Sequence, residues 1–514
     1  MTAPVADLTG RRPFIRLAAG ALVAAAGCRP SADRAYARGN TLIVGVPQLD
    51  VDVLQPGPEG AQWLGFLPLA VWNEKGDWEG RLAERWEHSP DYREWTYSIR
   101  PDVRWHDGVP VTAHDVKFSL DLLAHPDVVE ISPSSIDSVT VLNDHTVRVH
   151  HRRVADYAVD NVSYPKHLLE HLNPRQFYQW DFWKHPVGNG PYRFVRYQLR
   201  TMIELEANPD YYLGKPQIGR VVLKFVGQGA AGLSDLLSGN VDALTWVNPA
   251  WLPSLSADPR FVVYYSDNPN NATIVWQQAH PLFRDPRVRR ALTLAINRRE
   301  LLQVLGFPKE SPLTDGPVTL RQLRRRQLVE PVPYDPDQAR VLFEAAGWHD
   351  RAGDGVRERE GLAFRFTALV NGNSHFQRMA LFVQGELRRV GVDMSVTTQQ
   401  GYEASIKKGE LREAAFLFMP NSPVFDRIGT DALGYTNATV VELVNRIQVT
   451  VDPVALDRLY GELLEIFRED VPVTYLVPGT ITPVAHRRVQ GLRSPFRTDV
   501  LQCVDELSLD DGRT

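Results

Sequence analysis

The sequence predicts a mixed α/β or α+β protein of more than one folding unit, and three observations carry that prediction. The chain has 514 residues, and at about 100–200 residues per domain that implies two to four units. Short apolar runs rich in β-branched residues recur along it, and helical segments with readable start and stop signals lie between them. Hydrophobic residues make up 43% and charged residues 23%, the balance of an ordinary globular protein.

The strands come first. "TLIVGVP" (Thr41 to Pro47) is a short apolar run, as expected of a buried strand. In "EWTYSIRPDVRW" Trp95, Tyr97 and Ile99 fall on one face and Thr96 and Ser98 on the other, the pattern of a half-buried strand. Thr146 to Val154, Pro191 to Gln198 and Thr201 to Asn208 read similarly, and the last two form a hairpin pattern across "LR". Arg220 to Val226 and Phe364 to Val370 are further strands, and "DMSVTT" another.

Helices are marked by their ends. In "DPRVRRALTLAINRREL" Asp285 is placed as N-cap and Pro286 at the first helical position. Val288, Ala291, Leu292, Ala295 and Ile296 then follow the spacing of one buried stripe. "YDPDQARVLFEAAGW" repeats the arrangement, with Asp335 as cap, Pro336 opening and Gly347 closing. Phe376 to Val392 is a third helix, ending at Gly391.

Net charge is −5, with both signs spread along the chain, which argues against nucleic acid as a partner. The one dense basic run, Arg321 to Leu328, reads as a solvated face. Two cysteines, Cys28 and Cys503, exclude a disulfide scaffold. At the N-terminus Arg11 and Arg12 precede an apolar stretch from Leu17 to Ala26. Basic, then apolar, then small residues is the order of an export signal, and the run is short of the ~20 residues that span a bilayer. "RRPFIR" resembles a twin-arginine signal. "AAGC" resembles a lipobox ending at Cys28, departing from it at Ala25, where leucine is commoner. Residues 1–28 are therefore expected to be an export signal and 29–40 a polar tether. No later run of ~18 apolar residues occurs, so membrane attachment is expected only through lipid on Cys28, and the folded body outside the cytoplasm.

Two strings look like chemistry. "WHDGVPVTAHD" packs Trp105, His106, Asp107, His114 and Asp115 together. They straddle a strand end, a turn and a helix start, with no recognised ligand spacing, so Asp107 is expected to serve the Asp-Gly turn and Asp115 a capping box with Thr112. "HLLEH" (His167 to His171) fits a zinc-hydrolase pattern with Glu170 as base. An ordinary helix is the plainer reading, and neither a G-x-S-x-G elbow nor a Walker A string is present.

The stretch Leu82 to Leu123 resembles the signature of the family 5 extracellular solute-binding proteins, the peptide-, dipeptide- and nickel-type receptors of ABC importers. "GNGPYRF" resembles that family's G-T-G-P-Y turn with Asn189 in place of threonine. "ANPDYYLGKPQIGRVVLKFV", "LFRDPRVRRALTLAINRREL", "YDPDQARVLFEAAGW" and "ELRRVGVDMSV" follow in family order, so the likeness runs from about Thr41 to Gly491. The resemblance implies an α/β, two-lobed periplasmic-binding-protein fold of type II, in the large cluster C form, with a discontinuous lobe I and a hinge. Lobe I is expected at 41–269 and 480–514 and lobe II at 270–479. Crossings are expected near Asn268 to Trp276 and Tyr475 to Pro483.

The same resemblance implies a receptor that encloses a small solute, peptide or peptide-like, and passes it to ABC permease and ATPase subunits. It implies a monomer that is not an enzyme and needs no cofactor. A receptor that only signals, or an exported zinc-dependent hydrolase, are the alternatives. Peptide-binding relatives carry a G-W-x-x-D motif whose aspartate meets the peptide ammonium. Here Phe418 and Asn421 stand at those places, with Asp426 or Asp431 as substitutes, so a modified peptide, oligosaccharide, opine-like compound or metal chelate also fits. Trp246, Asn248, Trp276 and Asn371 (with Asn373) complete the candidate ligand contacts, because they lie at strand ends and lobe crossings.

Overall fold

The computed structural model describes residues 39–47, 61–73, 78–125, 128, 136–152, 163–198, 201–227, 229–267, 270–318, 330–372, 374–420, 432–450, 452–492 and 500–510. The export signal, the tether, Cys28, the run Arg321 to Leu328, Asn373, Asn421, Asp426 and Asp431 lie outside them.

Three sheets dominate. The first has seven strands, in the order Phe261–Val263, Val484–His486, Ala243–Leu244, Thr41–Pro47, Arg220–Val226, Met202–Ala207 and Tyr192–Gln198. Thr41–Pro47 lies parallel to both neighbours, in register from Thr41 opposite Arg220 to Pro47 opposite Val226. Tyr192–Gln198 and Met202–Ala207 form the expected hairpin. The second sheet is antiparallel, in the order Ala83–His88, Glu94–Ile99, Thr146–His151 and Ile136–Asn143. Trp95, Tyr97 and Ile99 point into its core with Val147 and Val149, and the helix Ala113–Leu123 covers that face with Val116 and Leu120. The alternation read from the sequence is the alternation of burial.

The third sheet has five strands, in the order Asp393–Thr398, Arg365–Val370, Ala414–Pro420, Asn270–Trp276 and Val473–Val477. Helices cover both of its faces, and its middle strand, Ala414–Pro420, is accordingly an unbroken apolar run. On one face Pro286–Leu294, Arg298–Leu305, Pro336–Ala345 and Ser374–Arg388 bury Val288, Leu292, Leu301, Phe343, Met379 and Val383. On the other, Tyr402–Lys407, Ala438–Val449 and Pro453–Asp470 bury Tyr402, Leu443, Leu463 and Phe467.

Local signals account for the helix ends. Asp285 accepts from Arg287 N–H at 2.9 Å and Asp335 from Gln338 N–H at 2.9 Å, each before a proline. The run from Asp285 is two helices rather than one. Its second part starts at Arg298, where Asn297 accepts from Glu300 N–H at 3.1 Å and makes a new cap.

The cores separate by chain segment. Those of the first two sheets draw on residues between Leu42 and Phe261 and again between Val484 and Leu507. Those of the five-stranded sheet draw on residues between Ala272 and Val477. Between the two sets, Ser266–Asp267 pairs antiparallel with Thr480–Ile481. Beyond it the chain is stapled back to the first sheet by Arg488, whose guanidinium donates to Asp242 at 2.8 and 2.9 Å. Arg81 holds the final segment through Glu506 at 3.0 Å and Asp505 at 3.7 Å. Among the described residues no helix is long and apolar enough to cross a membrane.

Candidate functional site

The first wall of the site is built where parallel strands end together. Thr41–Pro47, Arg220–Val226 and Ala243–Leu244 run in one direction, and ligands of open α/β sheets bind beyond such carboxyl ends. Past Ala243–Leu244 the chain emerges as Trp246, 37% exposed, followed by Val247 and Asn248. Past Arg220–Val226, Gly227 and Gly229 turn the chain into the helix Ala230–Leu237, Gly229 at a φ of 76° that only glycine adopts without strain. Trp246, Trp251, Leu233, Gly45, Gly227 and Gly232 line a slot between these two exits. Asn248 caps the short helix Pro249–Trp251, its side chain accepting from Ala250 N–H at 3.0 Å.

A second candidate wall belongs to the five-stranded sheet. The helix Arg298–Leu305 packs on Pro249–Trp251. Gly306, at a φ of 88°, comes so near the Pro249 carbonyl that a Cβ there would sit 2.1 Å from its oxygen. Next in line, Phe307 meets His375 edge-on at 6.1 Å, and Phe376 meets Phe418 at 4.5 Å. Phe418 lies opposite Ala272, near the crossing, and keeps 40% of its surface open. Burial pushes His375 down to about 4, and the neighbouring Arg378 adds to the effect, so its ring is neutral at pH 7. Arg378 donates to the Val304 carbonyl. Asn371 donates to Glu403 at 3.2 Å, at the carboxyl end of Arg365–Val370.

Trp276 does not join either wall. It is wholly buried, packed on Phe283 at 5.1 Å and Phe366 at 6.0 Å, with its indole N–H on the Thr474 hydroxyl at 3.0 Å. In the alternating strand Asn270–Trp276 it points into the helix-covered core, so it offers no surface to a solute. Trp246, Asn248 and Asn371 are exposed or half-buried just past strand ends and Phe418 is exposed within Ala414–Pro420, whereas Asn421 lies outside the described residues. Gly227, Gly229, Gly232 and His375 are further candidates that the structure adds. The clustered glycines of "VGQGAAG" between a strand and a helix were the available signal.

The two tempting strings resolve as structure. Asp107 accepts from Val109 N–H at 3.2 Å within its turn. Asp115 accepts from Thr112 N–H at 2.8 Å and from Lys166 N–H at 3.0 Å, tying two helix starts together. His106 bridges the Gly188 N–H at 3.2 Å and the Gly190 carbonyl at 3.0 Å. In "HLLEH" the helix is only Lys166–Leu169. His167 gives a ring nitrogen to Asp107 at 2.8 Å, and Glu170 pairs with Lys166 at 2.7 Å. Among the described residues no group of three or more His, Cys, Asp or Glu side chains converges to hold a metal.

With this geometry in place, comparison with known proteins is decisive for the family. Residues 77–426 match the family model of the bacterial extracellular solute-binding proteins, family 5, middle region. The chain belongs to that family. A Brucella ovis protein named as an ABC transporter peptide-binding protein is 31% identical over 300 residues, 56% of each chain. The match thus spans little more than half the length of that relative. Among solved structures, NikZ of Campylobacter jejuni in complex with Ni(L-His) superposes with a TM-score of 0.73 at 21% identity, covering 91% of this chain and 99% of that one. The oligopeptide-binding protein AppA of Bacillus subtilis, in complex with a nonapeptide, gives 0.70 at 22% identity, with 91% and 99% covered. These likenesses establish the α/β periplasmic-binding-protein fold of the family 5 solute-binding proteins.

Proposed function

We propose that the protein is an extracytoplasmic receptor that closes two lobes over a small solute and delivers it to an ABC importer. The single observation that carries this is the division of the cores, each side of the paired crossing Ser266–Asp267 and Thr480–Ile481. Short strands at a crossing absorb the backbone rotation that brings two lobes together. Lobe I is taken as 41–269 and 480–514, lobe II as 270–479. A solute touching both walls favours the closed form by its differential affinity, and permease and ATPase partners then read that form. No bond is broken, so the protein acts as a receptor rather than an enzyme. A monomer suffices, because both walls come from one chain.

The solute class proposed is a peptide or peptide-like compound. In support, family relatives are named for peptide binding, and Trp246 and Phe418 present open aromatic surface at the two walls. The family's printed description, extracellular solute-binding, supports a place outside the cytoplasm. Export by residues 1–28 and a lipid on Cys28 extend that proposal.

The test is thermal denaturation with a panel of di- to pentapeptides. A ligand at a hundred times its dissociation constant adds about 2.7 kcal/mol of stability. A shift with one peptide class identifies the solute. No shift across the panel, with a shift from a nickel–histidine chelate or an oligosaccharide, keeps the receptor and discards the peptide.

A further inference from the structure

We propose that the slot beside Trp246 is a size-selective subsite that takes one small apolar group of the solute, methyl to ethyl in size. The inference rests on the receptor reading above and adds what that reading leaves open: which part of the solute lobe I selects. The slot has a cavity volume of about 20 Å³, above the ~10–15 Å³ that one water-sized group needs. None of the residues lining it is charged, and Asn248 spends its side-chain oxygen on Ala250. The lining is mostly apolar side chains and glycine, so an apolar group of the solute displaces solvent there at little cost.

The glycines set the size. A Cβ on Gly232 would lie 3.3 Å from the Gly227 oxygen and from Val226 Cγ2, and 3.8 Å from Leu244 Cδ2. All four of these residues line the slot, so one added methyl occupies the space that the solute's group would fill. A Cβ on Gly45 would meet the same Leu244 Cδ2 at 2.6 Å, so the slot is tighter still beside Gly45. Burying each methylene gains about fourfold in affinity. A group larger than the slot must instead displace backbone.

The experiment uses the full chain recovered from the envelope of its own host, with native mass spectrometry to weigh and identify what each form retains. Wild type is compared with Gly232→Ala and Trp246→Ala. Gly232 is inside a helix, where alanine's propensity offsets the 3.3 Å approach of its Cβ to the Gly227 oxygen, and Trp246 is partly exposed, so both variants are expected to fold; melting temperature checks this. We expect wild type to retain a solute bearing a small apolar substituent, and both variants to bind that same compound about tenfold more weakly. Binding by Gly232→Ala within twofold of wild type overturns the subsite while the receptor reading stands. So does a retained solute with no apolar substituent. If wild type retains nothing, the peptide or chelate that shifts its melting temperature is used instead, and equal affinity of wild type and Gly232→Ala for it overturns the subsite.

Discussion

Val247 and Thr482 hold each other twice. The Val247 N–H donates to the Thr482 carbonyl at 3.1 Å, and the Thr482 hydroxyl donates to the Val247 carbonyl at 2.8 Å. Both residues are buried. Thr482 follows directly on the returning crossing strand Thr480–Ile481, and Val247 follows Trp246. The contact therefore couples the returning chain to the first wall of the site. Thr482→Val keeps the shape and removes the hydroxyl, leaving the buried Val247 carbonyl short of a donor at a cost of about 1–3 kcal/mol. The expected outcome is a lower denaturation midpoint together with weaker solute binding. Unchanged binding in a destabilised variant would show that Trp246 does not depend on this link.

Arg488 and Asp242 are each 1% exposed and meet at 2.8 Å. The carboxylate also accepts from Ile43 N–H at 2.8 Å, and the guanidinium donates to the Thr41 carbonyl at 2.9 Å. The pair thus binds the returned chain to the first strand. Arg488→Met strands a buried carboxylate and is expected to cost about 3–5 kcal/mol in urea denaturation. Adding Asp242→Asn removes the stranded charge, so the double variant is expected to be more stable than the single one. Strictly additive losses would contradict a direct pair.

How much of this was legible in the sequence follows from which forces are local. Caps at Asp285 and Asp335 and the alternation of Trp95, Tyr97 and Ile99 are set within a few residues, and the structure has them as read. The "GNG" turn is different. A Cβ on Gly188 would sit 1.8 Å from the Gly65 oxygen, so those glycines answer to a segment more than a hundred positions away in sequence. The burial of Trp276 has a related cause. Its nearness to a crossing suggested the cleft, but which face of a strand is open depends on helices contributed much later, so alternation alone left its side undecided. The slot glycines escaped notice because their meaning is the space they leave beside Trp246, a residue contributed by another strand.

His167 offers a direct test of the metal reading. Its side chain is 29% exposed and bonds to Asp107, 31% exposed. A pair this open to water is worth about 0–1 kcal/mol. His167→Ala is expected to lower stability by no more than that and to leave solute binding unchanged. Elemental analysis of wild type and variant after dialysis against micromolar zinc is expected to give equal, substoichiometric metal. One zinc per chain in wild type, lost in the variant, would restore the hydrolase.

His106 predicts how stability follows acidity. Its Nδ1 accepts from Gly188 N–H and its Nε2 lies on the Gly190 carbonyl, an arrangement that assigns the neutral tautomer protonated at Nε2. Burial first, and then the charge of Arg193, push it down to about 4, against a raising effect from the Gly190 carbonyl and Asp107. An unfolded histidine titrates near 6.5. Between about pH 6.5 and 4 the unfolded chain therefore binds the proton that the folded chain refuses, and stability falls as pH falls through that window. Above about 6.5 the contribution is complete. His375, also pushed down to about 4, acts in the same direction. Protonating His106 turns Nδ1 from acceptor to donor and sets it against the Gly188 N–H, so the turn that rests on Gly65 is expected to open first. Denaturation midpoints measured from pH 8 to 4 are expected to be flat to about 6.5 and then to decline. His106→Asn is expected to start lower, having lost the bridge, and to decline less steeply. An equal slope in that variant would place the acid sensitivity elsewhere.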